Sequence, residues 1–208
     1  QLMAWPQDQF LFSPGMTPIV GKHRARQLAL THARVAQVTV AGGTGSGKTT
    51  LGINIMVTLA ATTSPQQCRM LIVDPKQIDM ANSDLQRLPH LVAPIVTDPG
   101  QAVAALYAVA AEMQERREQI AAANAAGQRW QIPDRMVVYV DELAHLVRVD
   151  PNITAPLTWI AAEGRGLGYH LIIGTQRPTV DVMPGHLRAN TPCRFAGWVR
   201  SAEEARIA

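Results

Sequence analysis

Hydrophobic runs of membrane length are missing from this 208-residue chain. None approaches the roughly 20 apolar residues a spanning helix needs, and the opening QLMAWPQDQF lacks the basic start and apolar stretch of a signal peptide. No membrane contact is therefore expected of this segment, and a cytoplasmic setting is. Cysteine is scarce. Cys68 and Cys193 stand alone, with no CxxC spacing and no histidine at metal-ligand spacing, which excludes a disulfide scaffold and a zinc site and leaves buried or free thiols in a reducing compartment. Aromatic residues make up only 5%, little material for the stacking platforms of a single-strand binder. Charge of one sign is also lacking: a net +3 identifies no nucleic-acid protein unless it gathers on one face. Lysine is rare too, occurring only as Lys22, Lys48 and Lys76. With 47% hydrophobic residues the chain has enough material for one sizeable core, so disorder is excluded.

Short β-branched runs alternate with helical patterns. The runs are VAQVTVA (35–41), RMLIVD (69–74), LVAPIVTD (91–98), MVVYVDE (136–142), YHLIIGT (169–175) and CRFAGWV (193–199). Their nearly continuous apolarity marks strands covered on both faces, hence an α/β domain with a mostly parallel sheet and helices on both sides. Asp98 can cap a helix with Pro99 at its first position, and Val103, Leu106, Ala110, Met113 and Ile120 give that helix an apolar stripe. Its EMQERRE stretch reads as a solvated face, and Gly127 as its end. Ser201 and Glu204 have capping-box spacing, so a last helix is expected there. One domain is expected over 1–208, with residues 1–34 as lead-in and 35–208 as core, and as a piece of a longer chain.

The first run leads into GGTGSGKTT, where Gly42, Gly47, Lys48 and Thr49 fit G-x-x-x-x-G-K-[ST] between a strand and a helix. The backbone of Gly42, Gly43, Thr44, Gly45, Ser46 and Gly47, continuing into Lys48, Thr49 and Thr50, can curl its N–H groups around the phosphates of ATP. Lys48 would reach the β- and γ-phosphates, and Thr49 would offer a hydroxyl to Mg²⁺. A plain glycine turn needs neither the lysine nor the hydroxyl, and no G-x-G-x-x-G of a dinucleotide site can be laid over these residues.

Asp141 and Glu142 end the fourth run. An acid at the carboxyl end of a buried strand suits Mg²⁺, which assigns Asp141 to the metal, and Glu142 beside it can polarise water for attack on the γ-phosphate. The fifth run ends in Thr175, Gln176, Arg177 and Pro178 and should emerge on the same edge, so that Gln176 can bond the phosphate or the attacking water. A strand intervening between the phosphate loop and VDE points to P-loop ATPases that pair a glutamate with a later polar sensor.

Taken in order, AGGTGSGKTT, LIVDPK, LPHLVAPIVTD, AAEMQERRE, VVYVDELAHL, EGRGLGYHLIIGTQRPTVDVMPGHLRANTPCRFA and SAEEARI resemble the motor domain of the FtsK/SpoIIIE family of DNA translocases. The resemblance runs from about Gly21 to Ala208. It implies a RecA-like P-loop core that forms a homo-hexameric ring, hydrolyses ATP between subunits and pulls double-stranded DNA through its pore. It also implies that Arg165 reaches into a neighbour's site, that Asp74 and Lys76 of DPK either link nucleotide state to movement or form a capped turn fixed by Pro75, and that the stretch 179–194 faces the pore. Arg177 and Arg188 are the choices for DNA phosphate contacts. His145 departs from the family's usual acid and receives no role. The winged-helix module that reads orienting DNA sequences has no counterpart in these residues. Membrane anchoring, at the cytoplasmic face of the inner membrane, is a property the resemblance would place elsewhere in a longer parent chain. Two other readings keep the nucleotide site: a related ring ATPase that moves protein, as in type VII secretion or conjugative coupling, and a nucleotide-binding module without turnover. Glu142 speaks against the last, because binding alone needs no water-activating carboxylate.

Overall fold

The computed structural model describes residues 36–77 and 80–208, together with the two-residue strands Leu11–Phe12 and Leu28–Ala29, which pair antiparallel. Otherwise the expected lead-in, 1–34, lies outside the described residues. Five strands form one parallel sheet: β1 (Val38–Ala41), β2 (Cys68–Val73), β3 (Arg135–Val140), β4 (Tyr169–Thr175) and β5 (Cys193–Ala196), in the order β2-β3-β4-β1-β5. Among the described residues six α-helices accompany them: α1 (Lys48–Thr62), α2 (Pro99–Ala125), α3 (Leu143–Val149), α4 (Thr154–Leu167), α5 (Gly185–Ala189) and α6 (Ala202–Ile207).

Side chains alternate across each strand, and both sides of β1 to β4 are buried, whereas the edge strand β5 is half-buried on one side and exposed on the other. Leu71, Val73, Val138, Val140, Leu171 and Ile173 pack with Leu106 and Met113 of α2, Leu146 of α3 and Leu157 and Ile160 of α4. Their in-between neighbours Met70, Ile72, Val137, Tyr139 and Ile172 pack with Ile55, Met56 and Leu59 of α1. That double burial is why the runs read as continuous apolarity rather than as alternation. The register then fixes the functional edge: Ala41 lies opposite Thr175, Val140 opposite Ile173, and Val73 opposite Val140. Whatever follows β1, β2, β3 and β4 therefore emerges side by side, where ligands of open α/β sheets bind. Among the described residues no helix is long and apolar enough to cross a membrane.

Several local expectations hold. The Asp98 carboxylate accepts from Gln101 N at 2.8 Å with Pro99 at the start of α2, and Gly127 closes that helix through Gln128 N to Ala123 O, a Schellman bond. Ser201 Oγ caps α6 by accepting from Glu204 N at 3.1 Å. The third run, 91–98, is different. It touches β2 only through isolated bridges, Met70 to Leu91 and Val73 to Val96. Pro94 sits between the two bridges, and with no N–H to donate it cannot continue a ladder, so the segment leaves β2 after Val92 and returns at Val96.

EMQERRE is not a uniformly solvated face. Arg116 is 7% exposed. Its guanidinium bonds Asp134 O at 3.0 Å, Asp134 Oδ1 at 2.7 Å and Leu167 O at 2.9 Å, and lies 4.6 Å from the Tyr169 ring centroid. Arg69 of β2 joins the cluster through Glu112 and Asp134. The network ties α2, the end of α4 and the entry to β3 together at the edge opposite the phosphate loop. Arg116→Met should cost about 2 kcal/mol of stability, because it strips carbonyls and a carboxylate of their buried donor. Chemical denaturation of the full-length protein checks this; a loss below about 0.5 kcal/mol would return the segment to the rank of a solvated face.

Candidate nucleotide-binding and catalytic site

The loop 42–47 leaves the buried end of β1 and re-enters as α1. Gly45 and Gly47 hold φ of 82° and 84°, a left-handed backbone that side chains resist, and this lets the loop curl back over its own start. Gly42 N donates to Thr175 O at 3.1 Å, Gly43 N to Trp198 O at 2.9 Å, and Ser46 N to Gly43 O at 3.1 Å, so the outer arm of the loop is anchored to the last residue of β4 and to the chain that follows β5. No side chain caps α1, whose N-cap is Gly47. The N–H groups of its first turn have no intrahelical acceptor by construction, and with the helix dipole they form an anion site. Thr49 and Thr50 sit in that first turn. Beside the loop a cleft of about 370 Å³ opens between α1 and β5, lined by Ser46, Thr50, Asn54, Phe195 and Gly197.

Lys48 is directed inward, with only 6% of its surface exposed. Its ammonium donates to Asp141 Oδ1 and to Asp141 O, both at 2.8 Å. Asp141 Oδ1 also accepts from the Tyr139 hydroxyl at 3.1 Å. Burial, then the Asp141 charge, pushes the Tyr139 phenol well above its ordinary range, so it remains a neutral donor. Gly52 makes this contact possible: a Cβ there would lie 2.3 Å from the Tyr139 oxygen. Tyr139 and Gly52 were not singled out from the sequence, where one looks like a core aromatic and the other like an indifferent helix residue.

Glu142, 4% exposed, has both carboxylate oxygens engaged. Oε1 accepts from Thr175 Oγ1 at 3.0 Å and Gln176 N at 3.1 Å; Oε2 accepts from Lys76 Nζ at 2.7 Å and Gln176 N at 3.2 Å. The Gln176 side chain reaches the other way, accepting from Thr44 Oγ1 at 3.3 Å. Gln176 thus spans from the phosphate loop to the acid at the end of β3. Asp74, buried at the end of β2, accepts from Lys76 N, Met80 N and Ala81 N and fixes the turn that delivers Lys76. The pairing of Lys76 with Glu142 was also missed, although the scarcity of lysine was a signal for it.

Other candidates lie apart from this cluster. Arg165 is exposed in the last turn of α4, which feeds the start of β4 and so lies at the edge opposite the phosphate loop. Arg177 is exposed just past β4, and Arg188 on α5 is half-buried, its Nε without a partner among the described residues. His145 is held below its ordinary value first by burial and then by Arg148, and stays neutral near pH 7. Burial pushes the Cys68 thiol up to about 12 and raises Cys193, so neither is a reactive thiolate.

The FtsK/SpoIIIE family model matches residues 12–129. The chain is 37% identical over 182 residues to the DNA translocase SftA of Bacillus subtilis, covering 80% of itself and 19% of that protein. It is 32% identical over 196 residues to the DNA translocase FtsK of Mycobacterium tuberculosis, covering 84% of itself and 23% of that protein. The chain therefore spans about a fifth to a quarter of these relatives' lengths. Among solved structures, the cytoplasmic domain of the type VII secretion ATPase EccC of Thermomonospora curvata superposes with a TM-score of 0.80 at 23% identity, over 99% of this chain and 26% of that one. The pCW3 conjugation coupling protein TcpA, solved as a monomer with ATPγS, superposes with a TM-score of 0.72 at 20% identity, over 98% of this chain and 58% of that one. These likenesses show a shared P-loop ATPase fold. The match of the family model to more than half of the chain settles its kinship: this is a P-loop ATPase domain of the FtsK/SpoIIIE family.

Proposed function

We propose that this domain is the motor of an ATP-dependent double-stranded DNA translocase, hydrolysing ATP at the interfaces of a homo-hexameric ring in the cytoplasm. The observation that carries the reading is the placement of Glu142: a buried carboxylate beside the Lys48–Asp141 pair, joined through Gln176 to the phosphate loop. A module that only bound nucleotide would have no use for a second buried acid there. That the relatives above 30% identity are DNA translocases favours DNA as the cargo.

In this reading the N–H groups of Gly45 and of Gly47 to Thr50, with the Lys48 ammonium, hold the triphosphate, while Gly42, Gly43 and Ser46, whose N–H groups already donate to protein carbonyls, shape the loop. Mg²⁺ takes one or two protein oxygens beside phosphate and water. Asp141, whose carboxylate meets the Lys48 ammonium, and Thr49, in the first turn of α1, are the carboxylate and hydroxyl that would hold it. Bound there, the ion supplies positive charge against the phosphate oxygens. Glu142 accepts the proton of the attacking water, and Gln176 orients that water or senses the γ-phosphate. Arg165, on the far edge of its own subunit, serves a neighbour's site, where a guanidinium against developing phosphate charge is worth roughly 10³ to 10⁵ in rate. Arg177 and Arg188, on the segment after β4, contact duplex phosphates.

Glu142→Gln should leave ATP binding intact and lower turnover by about 100-fold or more, while Lys48→Ala should abolish binding. Steady-state ATPase assays and equilibrium binding of an ATP analogue measure both; equal turnover by wild type and Glu142→Gln would remove the assigned base. Duplex DNA of any sequence should stimulate the wild-type rate, and its affinity should fall steeply with salt, with a slope reduced by about one in Arg177→Ala. A rate indifferent to DNA would turn the reading toward a ring that moves protein. Arg165→Ala subunits mixed with Lys48→Ala subunits should regain part of the activity each lacks, since each supplies the half-site missing from the other. No recovery in verified mixed rings would contradict a shared site.

A further inference from the structure

The carboxylate assigned as the base is not free to act as one in the arrangement described. Each oxygen of Glu142 accepts two hydrogen bonds, and the shortest comes from an ammonium, Lys76 Nζ at 2.7 Å. The pair is poorly hydrated: the side chains are 19% and 5% exposed. A carboxylate oxygen must turn a lone pair toward water to take its proton, and a charge-assisted bond in so dry a setting opposes that.

Lys76 reaches Glu142 from a hydrogen-bonded turn. The turn 74–77 closes through Gln77 N to Asp74 O at 3.1 Å, with Pro75 at its second position. Asp74, 1% exposed, binds Lys76 N at 3.2 Å through one oxygen, and Met80 N and Ala81 N, both at 3.1 Å, through the other. Gln77 has φ of 57°, a left-handed backbone that costs a residue with a side chain, and its carbonyl accepts from Asn82 Nδ2 at 3.0 Å. A buried acid and a left-handed residue thus shape the turn that carries Lys76. Nothing in ATP binding by the loop 42–47 requires them.

We infer that Lys76 is a positioning residue that latches Glu142, and that opening of the Lys76–Glu142 ion pair gates ATP hydrolysis. The inference rests on Glu142 being the base. Because β2 lies beside β3 at the sheet edge, a shift of the turn after β2 alters catalysis without disturbing the phosphate loop. The latch thus separates binding from turnover, and a motor that must wait for its track has a use for that separation.

In the full-length protein, Lys76→Met should raise DNA-free kcat about tenfold, leave KM for ATP within about twofold of wild type, and shrink the stimulation by duplex DNA. Lys76→Arg, which keeps a cation on the carboxylate, should stay close to wild type, and Lys76→Gln should fall between. In nucleotide-free protein, the melting shifts of Lys76→Met and Glu142→Gln should be non-additive in the double variant, as a direct pair requires. A Lys76→Met rate equal to or below wild type, with Glu142→Gln inactive, would overturn the latch and leave the base assignment standing. Wild-type turnover by Glu142→Gln would remove both. Should Lys76→Met lose the cooperative melting transition, Lys76→Gln decides by the same rate criterion.

Discussion

Lys48 and Asp141 face each other across a site almost closed to water, and the rest of the edge is arranged around that pair. Two opposite charges buried together remain tolerable only while each keeps its partner and its hydrogen bonds. Lys48 gains the Asp141 carbonyl as well as the carboxylate, and Asp141 gains the Tyr139 hydroxyl. Tyr139 in turn needs Gly52 at the second turn of α1. The ion pair therefore clamps the helix after β1 to the end of β3, with β4 lying between them in the sheet. Under the proposed function, a nucleotide that offers phosphate to Lys48 and metal charge to Asp141 would replace each partner by a stronger one.

The two edges of the sheet carry different chemistry. At the phosphate edge, charges meet two by two: Lys48 with Asp141, Lys76 with Glu142. At the opposite edge Arg116, Arg69, Glu112 and Asp134 interlock with backbone carbonyls and an aromatic ring. Under the proposed function the first edge changes partners when nucleotide binds and the second keeps them. Arg165 lies on that second side, from which the proposal has it act on a neighbour.

How much could be read from the sequence follows from how far apart the interacting residues lie along the chain. The phosphate loop is nine consecutive residues, and Asp141 and Glu142 close an apolar run, so local pattern was enough to find them. Thr175 and Gln176 were placed on the right edge because parallel strands share a polarity. Lys76 and Glu142 are 66 positions apart, and only the adjacency of β2 and β3 brings them together. Arg116 looked solvated inside a charged run because its partners, Asp134 and Leu167, belong to later segments. The run 91–98 looked like a strand by composition, and Pro94 denied it the ladder.

The central claim, that Lys48, Asp141, Glu142 and Gln176 form one hydrolytic site, is tested most directly by a structure of the full-length protein with Mg²⁺ and a non-hydrolysable ATP analogue. The account predicts that the Lys48 ammonium leaves Asp141 for the β- and γ-phosphate oxygens, that Asp141 turns to the metal, and that a water lies within hydrogen-bond reach of Glu142 and in line with the γ-phosphate. Lys48 still paired with Asp141, with nucleotide bound elsewhere, would contradict it.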